Sequence, residues 1–176
     1  AKTRSLGPRR VRSTSYSDLR TVLDDRPKCP DGARPGVAIL GRGQIAQNAR
    51  VPSYGQHDLD GVGVWSRTAA TTADIRTRFP FVRKVYDTAD ELLADPEVQI
   101  VDVATRPEDR LTWIEAAISA GKHVLAQKPL TMDLPGLAPI IEKADRQALR
   151  IAVNQNGRWA PPWRLAPRLL QGGAHG

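Results

Sequence analysis

Two short stretches hold residues whose types and spacing could do chemistry. The first is Gly41-Arg42-Gly43-Gln44-Ile45-Ala46, which fits a GxGxxA pattern. Read as a phosphate turn, Gly41 makes the bend, Gly43 lets the backbone approach a pyrophosphate, and the small Ala46 lets helix and strand pack closely. The free N–H groups and positive end of the following helix would then receive the anion. Glycine-rich hexapeptides also occur in ordinary turns, so this one draws its value from its place, after an apolar run and before a helical pattern. The second stretch is HVLAQKPL at 123–130, where an apolar run ends at Gln127-Lys128-Pro129. A buried ammonium is costly unless something pairs with it or uses it. Lys128 is therefore either a surface residue at a strand end or a group placed to meet a ligand.

A third group, Trp65-Ser66-Arg67-Thr68, lies about where a second strand should end in the group that reads an adenosine ribose. An acid there grips the 2′-hydroxyl of NAD, whereas arginine or a hydroxyl suits the 2′-phosphate of NADP. No carboxylate is present. Ser66 and Arg67 therefore favour NADP, with NAD as the alternative, and Arg67 could clamp the phosphate by charge-assisted hydrogen bonds. The plainer reading of Arg67 is a solvated residue at a helix start.

These residues need a frame, and the apolar patterning supplies one. Short apolar runs at 37–40, 62–65, 100–103, 123–126 and 151–153 read as strands, with 84–86 as a weaker sixth. Helical patterns lie between them at 45–54, 69–79, 89–94, 108–120 and 134–147. The clearest is 108–120, whose Leu111, Ile114, Ala117 and Ile118 fall on one stripe before a C-cap at Gly121. Such alternation predicts βαβ units, hence an α/β fold with a doubly wound, mainly parallel sheet of the Rossmann type. The candidate residues then fall at strand ends, the edge where open α/β sheets bind ligands.

The chain of 176 residues has room for one ordinary domain plus appendages, with 40% hydrophobic and 26% charged residues. No window has the ~18 apolar residues a membrane span needs. The single Cys29 excludes an internal disulfide framework and fits a reducing, cytoplasmic compartment. With three scattered histidines it offers no metal cluster. The net charge of +7 is concentrated in residues 1–34, which carry nine Lys/Arg against four Asp. The basic balance thus describes a poorly structured extension rather than a domain surface, which argues against a nucleic-acid partner. Arg9-Arg10 is followed by no apolar h-region, so export is rejected.

GRGQIA at 41–46, DELLADPEVQIVDVAT at 90–105, AGKHVLAQKPL at 120–130 and AVNQNGRW at 152–159 appear in one order. That series resembles the N-terminal half of the glucose–fructose oxidoreductase, inositol dehydrogenase and MocA group, the Gfo/Idh/MocA family. The resemblance covers roughly residues 35 to 176. It implies an NAD(P)-dependent oxidoreductase acting on a sugar- or polyol-like alcohol. In the family a Glu-Lys-Pro motif ends the fifth strand, with its lysine beside nicotinamide and substrate and its proline bond often cis. The resemblance thus makes Lys128 the catalytic residue and places Thr105, Arg106, Gln127, Lys128, Pro129, Asn156, Arg158 and Trp159 around the cofactor. Three departures stand out: Gln127 replaces glutamate, Arg110 stands where many members have histidine, and Arg106-Pro107 replaces a common Pro-Pro or Pro-Asn. A neutral amide at 127 can orient the lysine but cannot offset its charge.

The family's second half carries further catalytic residues, often His and Asp, and most of the oligomer interface. The sequence begins with Ala and stops about where that half would start, which suggests a fragment or a lone cofactor-binding domain. The expected organisation is a flexible basic extension over 1–34, an NAD(P)-binding domain over 35–159, and over 160–176 the start of the crossover to a C-terminal substrate domain. A homo-oligomer would form through that further domain. The alternative function is a non-catalytic dinucleotide sensor or regulatory domain, favoured by Gln127.

Overall fold

Val37–Leu40 form strand β1, and all four residues are buried, as a strand covered on both faces requires. This computed structural model describes residues 34–41, 43, 46–56, 59, 63–67, 75–160, 162–164 and 166–167. The basic extension (but for Arg34), Arg42, Gln44, Ile45, Val62 and the expected helix residues 69–74 lie outside the described residues. The chain divides into two compact units: Pro30–Gln155, which holds the sheet, and a second to which Asn156 onward belongs.

The remaining strands are β2 (Gly63–Trp65), β3 (Lys84–Val85), β4 (Ile100–Val103), β5 (His123–Gln127) and β6 (Ile151–Asn154). They join β1 in one sheet of order β3-β2-β1-β4-β5-β6, with every pairing parallel. The order turns back between β1 and β4, which makes the carboxyl ends of those strands the switch point where such sheets take ligands. This is the doubly wound α/β fold that the alternating runs imply.

Alternate strand residues feed two cores. Ile39 and Val64 pack with Ala46, Val51 and Ile75 on one face. Ala38, Leu40, Val101, Val103, Val124 and Ala126 pack with Ile114, Ala117, Ile118 and Ile140 on the other. The helices are α1 (Val51–Gln56), α2 (Ile75–Arg78), α3 (Ala89–Ala94), α4 (Pro107–Ser119) and α5 (Leu134–Arg146). The continuous helix expected over 45–54 is instead a π-helical turn, Ala46–Arg50, running into α1. Pro52 has no N–H to give to the carbonyl four residues back, and it sits where the π register gives way to the α register. Asp133 caps α5 by accepting from the Gly136 N–H at 3.0 Å. Gly121, at φ +73°, ends the turn after α4. No helix among the described residues is long and apolar enough to cross a membrane.

Candidate functional site

Gly41 leaves β1 at φ +108°, a conformation that side chains rarely adopt. Its N–H donates to the Trp65 carbonyl at 2.9 Å. A Cβ there would lie 3.0 Å from the Ala104 carbonyl and 3.1 Å from Thr105 Cγ2. The bend therefore runs hard against the end of β4, and only glycine fits it. Gly43 differs: among the described residues a Cβ there would meet no atom closer than the Ala104 oxygen at 4.0 Å. Among the described residues none requires glycine at 43, and the space beside it fits a molecule approaching from outside. Ala46 is buried and packs with Ile39 and Ala104, the close helix–strand contact that its small side chain permits.

Two residues beyond β4, Thr105 presents a buried Oγ1 with no hydrogen-bond partner among the described residues. It stands against Gly41 at the same rim, and a buried hydroxyl left unpaired is costly. Arg106 follows as the N-cap of α4, exposed and making no side-chain cap bond.

At the end of β5 the Lys128–Pro129 bond is cis. Gln127 is buried, and its Oε1 accepts from the Lys128 backbone N–H at 2.9 Å. The amide thus holds the lysine's main chain rather than its ammonium. Lys128 is exposed, and no side-chain partner is recorded for it among the described residues.

Arg110 is the residue that sequence reasoning noted only as a departure. It is 2% exposed, and its two Nη atoms donate to the carbonyls of Pro129 and Thr105. One guanidinium thereby ties the rim of β4 to the turn after β5. Burial pushes its pKa down, against a smaller upward pull from Glu108. The signal was present in the sequence: Arg110 falls in phase with the buried stripe of Ile114, Ala117 and Ile118.

Ser66 and Arg67 follow β2 at the carboxyl rim, the first half-buried and the second exposed. Arg67 is not unengaged: its Nη2 donates to Asp109 Oδ2 at 2.6 Å. Asn156, Arg158 and Trp159 form a 3₁₀ helix, Asn156–Trp159, in the second unit. There the Arg158 and Arg164 guanidinium groups lie 5.7 and 5.2 Å from the Trp159 ring centre.

A buried network underlies the rim. Asp102, central in β4 and read from sequence as part of an apolar run, is fully buried. It accepts from Arg50 Nη2 at 3.1 Å and from the Tyr54 hydroxyl at 2.7 Å. With its amide oxygen turned toward Arg50, Asn154 of β6 accepts from Nη1 at 3.2 Å and Nη2 at 3.3 Å. Burial pushes the Asp102 carboxyl upward while Arg50 and Tyr54 oppose it; the Tyr54 phenol is raised by burial and by Asp102. The network fastens the segment after the glycine turn to β4 and β6. A cavity of about 370 Å³ lined by Pro35, Val98, Gly121, Lys122 and neighbours opens at the opposite, amino edge of the sheet, away from these residues.

Residues 36–155 match the oxidoreductase family described as having an NAD-binding Rossmann fold. An uncharacterised oxidoreductase of Rhizobium meliloti is 35% identical over 126 residues, 71% of this chain and 37% of that protein. D-apiose dehydrogenase of Paraburkholderia graminis is 25% identical over 141 residues, 79% of this chain and 37% of that protein. Among solved structures, the 3-ketoreductase KijD10 of Actinomadura kijaniata, in complex with TDP-benzene and NADP, superposes with a TM-score of 0.72. It is 28% identical, over 82% of this chain and 45% of that one. The chain thus spans less than half the length of each of these relatives. With its parallel sheet and glycine turn, the chain belongs to the Gfo/Idh/MocA family of oxidoreductases, through that family's NAD-binding Rossmann domain.

Proposed function

We propose that this domain binds NADP in preference to NAD, and that its whole protein moves hydride to or from a sugar- or polyol-like alcohol. The observation that carries the reading is the meeting, at neighbouring strand ends, of the Gly41 bend, the unpaired Thr105 hydroxyl and the Lys128-Pro129 turn. The pyrophosphate would lie over the turn that Gly41 bends, beside Gly43, where among the described residues only the Ala104 oxygen comes within 4.0 Å of a would-be Cβ. Arg42, Gln44, Ile45 and Ala46 complete that turn, Ser66 and Arg67 read the adenosine end, and Thr105, Arg106, Gln127 and Pro129 line the path toward the nicotinamide. Asn156, Arg158 and Trp159 belong to the same proposed set. A bound nicotinamide supplies the two-electron chemistry. Lys128 would donate a hydrogen bond to the substrate oxygen, steady negative charge there and carry its proton.

The presence of NADP in KijD10 supports the choice of cofactor, and the D-apiose dehydrogenase supports a sugar-like substrate. The same proposal includes a cytoplasmic setting, and a substrate-bearing domain beyond residue 160 that also mediates any homo-oligomer. Titration with NADPH and NADH, by fluorescence or calorimetry, tests the reading. NADPH should bind more tightly; tighter NADH binding would overturn the preference, and no binding of either would overturn the site. One observation favours a second reading, that of a non-catalytic dinucleotide sensor: the residue before Lys128 is a neutral amide that holds its backbone N–H, so it offers the ammonium no compensating charge.

A further inference from the structure

The exit of β2 is held against α4 by two contacts one helical turn apart. Trp65 and Trp113 pack with ring centres 5.2 Å apart. Four residues earlier on α4, Asp109 meets Arg67, two residues beyond Trp65. The indole pair thus presents the Asp109 carboxylate to the guanidinium that would meet a 2′-phosphate. Both partners remain within reach of a ligand, since the Arg67 side chain is 72% exposed and that of Asp109 43%.

We propose that Asp109 is a specificity-determining residue for the adenosine end of the cofactor, acting as an internal competitor for Arg67. In the free protein Asp109 occupies the guanidinium; a 2′-phosphate must displace that carboxylate and then bear its negative charge nearby. A ribose 2′-hydroxyl carries no charge and meets neither obstacle. Asp109 therefore narrows the preference for the phosphorylated cofactor that Arg67 creates. An arginine can form paired bonds with a phosphate as readily as with a carboxylate, so the exchange conserves bond geometry while reversing which anion is held. This inference rests on the dinucleotide reading of the site, which it deepens.

The test measures dissociation constants of NADPH, NADH, 2′,5′-ADP and 5′-ADP for the protein and four variants: Asp109→Asn, Glu108→Gln, Arg67→Ala and the double variant Asp109→Asn/Arg67→Ala. Glu108→Gln removes the same charge from the same helical turn without touching the pair. Asp109→Asn should tighten NADPH and 2′,5′-ADP by about fivefold, the upper end of what an exposed ion pair contributes. It should leave NADH and 5′-ADP within about twofold. Glu108→Gln should move the ratio less, and in the Arg67→Ala background Asp109→Asn should lose most of its effect. The inference is overturned if Asp109→Asn shifts phosphorylated and unphosphorylated ligands equally, shifts neither, or shifts them no differently without Arg67. Such results with intact NADPH or NADH binding leave the site reading standing. Failure of all four ligands to bind the unsubstituted protein defeats the site reading itself, and this inference with it.

Discussion

Lys128 stands one residue past β5 with its main chain held on both sides: Gln127 accepts from its N–H, and Arg110 grips the Pro129 carbonyl. Its ammonium is left in solvent at the rim. A side chain so placed contributes little to folding, which separates a chemical role from a structural one. Lys128→Ala should leave NADPH affinity within about twofold, yet lower turnover of the full-length enzyme by about 10²-fold or more, as loss of a proton-transfer group does. Steady-state kinetics with matched binding titrations check this. Unchanged turnover would remove Lys128 from the mechanism, while folded protein that binds NADPH and turns over no alcohol in either form would favour the sensor. Glutamate in place of Gln127 would add a negative charge beside a main-chain contact, so the family's usual residue need not act on the lysine in the same way here.

Among the elements, the strands were the most legible in the sequence. Val37–Leu40 is a strand buried throughout and the other short apolar runs pair with it as strands, although the edge strand β6 leaves Ala152 exposed; their spacing left room for helices and little else. The stripe on α4 likewise set its register. What escaped were polar residues hidden inside apolar patterns. Asp102 sits in a run of Ile and Val, and its partners Arg50 and Tyr54 lie some 50 residues earlier; single-sequence periodicity carries no information about such pairs. The π-helical turn escaped for a similar reason, because its register depends on how Pro52 is accommodated. Nor does composition show that Arg67 meets Asp109. Arg110 links α4 to two loops by main-chain acceptors alone, so replacing it exposes two carbonyls and a hole at once. Arg110→Met should lower stability by about 2–4 kcal/mol in urea unfolding, and Arg110→Lys, with one point charge instead of a fork, should recover only part. Native stability in Arg110→Met would show that the brace bears no weight.

At the scale of the molecule, the parallel sheet gives its two edges different work. The candidate ligand groups gather at the carboxyl edge, and a second set of ties closes the amino edge around Asp95. The Asp95 carboxylate accepts from Lys84 Nζ at 2.6 Å, Tyr86 at 2.9 Å and the Glu97 N–H at 2.9 Å. Its own carbonyl accepts from Lys122 Nζ at 2.8 Å. The Lys84 ammonium, then the Glu97 N–H, pull its pKa from 3.8 down to about 2, against the upward push of burial. Because the folded value is the lower one, the stabilisation is present above the unfolded value and lost as pH falls through about 2. Asp95→Asn should therefore cost about 2 kcal/mol at pH 6, and the gap to the unsubstituted protein should shrink toward zero near pH 2. A gap that stays constant across an acid series of denaturation curves would contradict the assignment. A strand of four residues, such as β4, sets these edges about 13 Å apart, a separation that weakens the pull of a charge at one edge on a charge at the other roughly threefold against a contact at about 4 Å. Strand length thus serves as spacing: an engineer could retune the acid tolerance of this fold at one end while coenzyme selectivity at the other moves little.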